Sequence, residues 1–273
     1  MILAAAILSA ASAMTAQETP KWLRKNAISP DGSKVAFCYK GDIFTVGVNG
    51  GRALQITTNQ AYDSDPLWTP DGKRIVFSSY RAGSKDIFIT SAEGGAPKRL
   101  TDYPGNETPL CVLGDGRVLF QAGIQQDAVY GGFPGDPQIW QVGENGGRPR
   151  LVTSMPLMAM SVNNSGQVIY EDYKGYEDPL RKHHQSSVTR DIWLYKPTTA
   201  QGDRFRITGD GTFTKLTSFI GEDRNPVFAA DGKTYYYISE ADGTLNVYKS
   251  STDNPGHATQ LTHFMDNPVR FLS

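Results

Sequence analysis

The residues able to do chemistry in this 273-residue chain are few: four histidines, two cysteines and a scatter of Asp-Gly pairs. A nucleophilic mechanism needs a serine or cysteine beside a base, typically a histidine oriented by a carboxylate. His183 and His184 stand together in a charged stretch, His257 and His263 flank a segment read as the last strand of a repeat, and no G-x-S-x-G elbow occurs. The His183-His184 pair reads either as part of a loop touching substrate or a metal, or as a solvated loop. Cys38 and Cys111 fall at different places in the repeat described below, which favours two buried free thiols acting as small hydrophobes, although an oxidising compartment would permit a disulfide. No cluster has metal-ligand spacing, and the H-E-x-x-H, P-loop and dinucleotide fingerprints are absent. The Asp-Gly pairs lack the alternating acidic ligands of a calcium loop and read as turns. No catalytic residue and no cofactor is therefore expected within this chain.

Composition sets the class of structure that must hold these residues. Twenty-eight Gly and 16 Pro with abundant Tyr and Phe favour many short strands joined by tight turns. A formal charge of −1 with both signs scattered gives no basic face for releasing phosphate counterions, so nucleic acid is not an expected partner. Residues 2–13 are small and apolar and end in Ala11-Ser12-Ala13, with a second small-residue end at Ala16. That run is too short to span a bilayer and is read as the remnant of a signal peptide over residues 1–16, which implies a periplasmic or secreted protein. No later segment is expected to span a membrane.

One ordered unit recurs from residue 22 onward. Its clearest copy runs Trp68-Thr69-Pro70-Asp71-Gly72-Lys73, Ile75-Val76-Phe77, Asp86-Ile87-Phe88, Gly94-Gly95 and Arg99-Leu100-Thr101. The preceding copy has Pro30-Asp31-Gly32, Asp42-Ile43-Phe44, Gly50-Gly51 and Ile56-Thr57, and Gly32 and Gly72 lie 40 residues apart, the length of a four-stranded propeller blade. Later copies keep the order through Gly114-Asp115-Gly116, Asn164-Ser165-Gly166 and Asp231-Gly232-Lys233, with insertions at 171–190 and 198–213 in the fourth. Pro-Asp-Gly makes a compact hairpin, and second strands apolar on both faces belong in stacked sheets. An all-β sandwich has the same turns but no reason to repeat the same signals in order. The expectation is an all-β propeller of four-stranded antiparallel blades over 17–273, with blades near 22–57, 62–101, 106–153, 158–217 and 222–262 and the first strand of another at 265–273. A ring left incomplete in this way should expose apolar sheet and associate.

The blade motif resembles that of TolB-like propellers and tricorn-type peptidases. The stretch Glu177-Asp178-Pro179-Leu180-Arg181-Lys182-His183-His184 leading to Arg190-Asp191-Ile192-Trp193 is most similar to the secreted tricorn-type serine peptidases. The resemblance implies an N-terminal propeller that filters peptide or unfolded polypeptide for a C-terminal peptidase domain, with a PDZ-like module between them. A TolB-like scaffold for envelope proteins and the propeller of a prolyl-oligopeptidase-type hydrolase are the rival readings. Loops at the ends of the channel carry binding in such scaffolds, so Tyr130, Phe133, Tyr173, Tyr176, His183 and His184 are the expected peptide-contacting rim residues.

Overall fold

The computed structural model describes residues 23–124, 138–176, 185–202 and 205–273. Its strands form five separate four-stranded antiparallel sheets, each made of four strands consecutive in the chain, with no helix among the described residues. Blade 1 holds β1 (Arg24–Ile28), β2 (Lys34–Tyr39), β3 (Asp42–Gly47) and β4 (Leu54–Gln55), and blade 2 holds β5 (Asp63–Trp68), β6 (Arg74–Ser79), β7 (Asp86–Ser91) and β8 (Lys98–Arg99). Blade 3 holds β9 (Thr108–Val112), β10 (Val118–Ala122), β11 (Gln138–Gly143) and β12 (Gly146–Thr153). Blade 4 holds β13 (Leu157–Val162), β14 (Val168–Asp172), β15 (Ile192–Lys196) and β16 (Thr212–Lys215), and blade 5 holds β17 (Asp223–Phe228), β18 (Thr234–Ser239), β19 (Asn246–Ser251) and β20 (Asn254–Gln260). The first strands β1, β5, β9, β13 and β17 contact one another in that order, which places them side by side around a common axis. This is a propeller.

The repeated turn residues work as their chemistry requires. The Asp71 carboxylate accepts from the Thr69 hydroxyl at 2.6 Å and from the Lys73 N–H at 3.1 Å, closing the hairpin between β5 and β6. Gly72 has φ of +67°, where a side chain would be strained. Blade 1 repeats the arrangement with Ser29 and Asp31, at 2.6 Å. These bonds hold the Asp31 carboxyl down at about 2, the Ser29 hydroxyl being the largest cause.

In four of the five blades the closing Thr has a second task. Its hydroxyl accepts from the N–H that follows the residue opening the third strand: Ile43 to Thr57 at 2.9 Å, Ile87 to Thr101 at 3.0 Å, Ile192 to Thr217 at 3.0 Å and Val247 to Thr262 at 2.9 Å. The Thr57 hydroxyl also donates to Asp42 at 3.3 Å, so one hydroxyl ties the outer strand to the start of β3. Thr57→Val is expected to lower stability by about 1–3 kcal/mol, because a buried N–H loses its acceptor. Urea or thermal unfolding checks this, and Thr57→Ser should retain most of the stability.

Blades are glued face to face. Ala36, Cys38 and Ile43 of blade 1 pack on Ile75, Phe77 and Phe88 of blade 2, while Val76, Ile87 and Ile89 on the opposite face of blade 2 pack on Val118, Phe120 and Trp140 of blade 3. Hence β6 is buried along nearly its whole length, whereas β2 alternates, because one flank of blade 1 has no blade against it. Beyond β20, the Val269 N–H bonds the Leu245 carbonyl at 2.8 Å, and the Lys25 ammonium lies 5.1 Å from the Phe271 ring centroid. The last residues therefore touch both blade 5 and blade 1. No described helix is long and apolar enough to cross a membrane.

Candidate functional site at one end of the ring

Antiparallel order sorts every connection to one of two ends. The Pro-Asp-Gly hairpins and the Gly-Gly turns occupy one end. The connections from second to third strand, and from each fourth strand to the next blade, occupy the other. The two long connections leaving β10 and β14 therefore share this second end and belong to neighbouring blades. Tyr173 and Tyr176 lie here, Tyr173 half-buried and Tyr176 82% exposed. Tyr130, Phe133, His183, His184 and the signal-peptide segment 1–16 lie outside the described residues. His257 stands inside outer strand β20 rather than beside it, a correction that follows from the pairing of this strand reaching from Asn254 to Gln260.

This end also gathers exposed apolar side chains that the sequence reading did not single out. Tyr62 and Ile220 sit in connections between blades, Tyr80 follows β6, and Phe264 and Met265 follow β20, Met265 being 84% exposed. Outside blade 1, no exposed large hydrophobic among the described residues falls on the hairpin end. That end is instead studded with turn residues such as Asp71, Lys73, Asp115 and Lys233. The two ends thus differ in character: the hairpin end is charged, with short turns apart from residues 197–211 of blade 4, and the other is aromatic with the long connections of blades 3 and 4.

Inside the aromatic collar lies a tier of paired charges. Every first strand carries an irregularity in register near this end. At equivalent places in three of them stand Lys25, Asp65 and Asn225, all non-glycine residues with positive φ of 46°, 55° and 51°. Such conformations mark bulges that re-aim a side chain. Asp65 is met by Lys85 at 2.9 Å and Lys25 at 3.4 Å; burial opposes its ionisation, but the two ammonium groups prevail and its carboxyl lies below the ordinary range. On the far side of the axis Arg190 joins Glu171 at 2.6 Å and approaches Glu222 at 3.6 Å, while the second oxygen of Glu171 accepts from the Asn225 N–H at 2.9 Å. Lys174 bonds Asp191 at 2.6 Å, fixing the stem of the connection that carries Tyr176.

The charges of this tier are engaged with one another. Cys38 and Cys111 are both free thiols, and burial pushes each to about 12, so neither supplies a thiolate at neutral pH. No group of three potential metal ligands occurs among the described residues. A collar of tyrosines and aliphatics around a rigid charged tier suits contact with extended polypeptide through aromatic faces and backbone bonds.

Comparison with known proteins agrees with this architecture. The family model for the tricorn protease N-terminal beta propeller domain matches residues 20–273. Tricorn protease homolog 1 of Streptomyces coelicolor is 32% identical over 226 residues, which is 82% of this chain and 19% of that protein. The crystal structure of the tricorn protease superposes with a TM-score of 0.72 at 19% identity, over 92% of this chain and 23% of that one. TolB from Acinetobacter baumannii gives 0.61 at 18% identity, over 85% and 52% of the respective chains. At these structural identities the likeness is one of fold.

Proposed function

This chain belongs to the tricorn protease N-terminal β-propeller domain family, and on that premise we propose that it is the non-catalytic substrate-gating or peptide-binding propeller of an exported tricorn-like serine peptidase. Its substrate is peptide or unfolded polypeptide, handed to a C-terminal peptidase domain accompanied by a PDZ-like module. The observation that carries the reading is the asymmetry of the ring: exposed Tyr62, Tyr80, Tyr176, Ile220, Phe264 and Met265 all gather at the end from which the long connections of blades 3 and 4 leave. In this reading Tyr130, Phe133, Tyr173, His183 and His184 belong to the same rim. The apolar stretch 2–13 supports export, and a mature N-terminus at Met14 or Gln17 is its expected mark. Residues 265–273 are proposed as the inner strand of a further blade, supported by their contacts to Leu245 and Lys25.

The test replaces residues 176–185 with a short Gly-Ser linker and adds Tyr62→Ser and Tyr80→Ser in the full-length parent protein. These changes spare Glu171, Lys174 and Arg190, which hold the fold. Cleavage of an unfolded polypeptide should fall several-fold through KM, while cleavage of a short chromogenic peptide stays unchanged. Equal cleavage of both substrates by variant and parent would sink the gating role and favour a scaffold.

A further inference from the structure

A carboxyl pair recurs where one blade meets the next. Thr57, Thr101 and Thr217 are each followed, at the start of the next blade, by an acid: Asp63, Glu107 and Asp223. The N–H of each acid bonds the carbonyl that precedes the aspartate opening a third strand: Asp63 to Gly41 at 2.8 Å, Glu107 to Lys85 at 2.7 Å and Asp223 to Arg190 at 3.1 Å. Those aspartates are Asp42, Asp86 and Asp191. Each seam therefore brings two acids from different blades within reach of each other's charge.

The three seams differ in how the charge is met. At the first, Arg81 reaches both oxygens of Asp63, at 3.0 and 2.8 Å. At the second, Arg99 takes Asp86 at 2.9 Å, and Glu107, with 0% exposure, has no hydrogen-bond partner on either carboxyl oxygen. At the seam between blades 4 and 5, Lys174 and Lys215 take Asp191 at 2.6 and 2.9 Å, and both oxygens of buried Asp223 are likewise without a partner. An ionised carboxylate in such a place bears a desolvation penalty that the nearby hydroxyls offset only in part.

We propose that Glu107 and Asp223 are proton-bearing locks: the joints between blades 2 and 3 and between blades 4 and 5 close around neutral carboxylic acids and loosen when those acids ionise. Facing Glu107 are Asp86 of β7, Arg99 of β8, and Thr101 and Asp102 of the connection. Facing Asp223 are Asp191 with its two lysines, Glu222, Thr217, and Ser239 of β18. The phenols of Tyr235, Tyr237 and Tyr248 also feel its charge. Burial pushes each acid up to about 7, with the neighbouring Asp86 or Asp191 adding to the rise and the hydroxyls working against it. Because the folded values exceed the ordinary carboxyl values, the stabilisation is complete below the unfolded-state range and is lost as pH climbs through about 7.

The experiment follows thermal unfolding of the 273-residue chain between pH 5.5 and 8.5, alone and as the E107Q/D223N variant. The unsubstituted chain should lose several degrees across that range, and the variant should lose less than half as much and melt higher at pH 8.5. The same change at the arginine-held seam, Asp63→Asn, should lower the melting temperature at every pH without altering the slope. Infrared difference spectra of the unsubstituted chain provide a readout independent of the variants, with a protonated-carboxyl stretch at pH 6 that vanishes by pH 9. The proposal is overturned if the double variant keeps the parental slope, or if no such stretch is seen.

Discussion

Arg190→Ala is expected to destabilise the chain by about 3–5 kcal/mol at pH 7, the range observed when one partner of a buried ion pair is removed. The guanidinium lies between two acids from different blades, bonding Glu171 of β14 at 2.6 Å and approaching Glu222 at 3.6 Å just ahead of β17, and all three side chains are largely buried. Truncation leaves two buried acids to share Arg224 as their remaining neighbouring cation. Glu222 is already raised by burial, a shift that Arg190 restrains. The Arg190 N–H also donates to Glu222 at 3.3 Å, a bond that survives truncation of the side chain and keeps the two groups close. The loss should shrink as pH is lowered toward 5, because protonation then relieves the uncompensated charge. Adding Glu222→Gln to Arg190→Ala should recover part of the stability, since Arg224 then faces Glu171 as a single pair and the excess negative charge is gone. Urea unfolding at pH 7 and pH 5 measures all of this. A cost below about 1 kcal/mol at pH 7 would mean that solvent screens the cluster as it does a surface pair.

The architecture was legible because its signals are local. Pro-Asp-Gly fixes a hairpin within six residues, and the structure shows Asp71 and Asp31 bonding the neighbouring Thr69 and Ser29 as the turn requires. Runs such as Ile75-Val76-Phe77 imply cover on both faces, and each face has its own neighbouring blade. Thr57 and Thr101 mark the ends of their units in the sequence, but the partner of each lies 14 residues earlier, at Ile43 or Ile87, so its role emerges only once the outer strand returns. The candidate rim remains an expectation, and its residues differ in how visible they are in the sequence. Tyr173 and Tyr176 stand out because a long insertion advertises itself, whereas Tyr62, Tyr80 and Ile220 occupy short links whose exposure depends on which end of the ring they reach. Glu107 and Asp223 were missed because an acid gives no sequence sign of being buried. A signal for them did exist: a threonine followed six residues later by an acid recurs at Thr57, Thr101 and Thr217.

Phe77→Ala should cost about 3–5 kcal/mol, and the same change at the equivalent Phe37 only about 1–2 kcal/mol. The contrast tests radial stacking itself. Phe77 is fully buried in the cluster between blades 1 and 2, with its ring centroid 6.0 Å from that of Phe88. Arg81 lies over both rings, 5.4 Å from Phe77 and 4.9 Å from Phe88, and from there reaches buried Asp63. Deleting the Phe77 ring opens a cavity and also removes the floor on which the counter-ion of Asp63 rests. Phe37 stacks on Phe44 in the same way, at 5.8 Å, but on the open flank of blade 1, where it is only half-buried. Its removal forfeits less contact and leaves no enclosed void. Equal costs at the two positions, measured by urea unfolding of the 273-residue chain, would mean that the flank of blade 1 is covered in solution. Size-exclusion measurements would then show whether a second copy supplies the cover, since a blade face of this kind exposes apolar sheet that a partner of the same shape can bury.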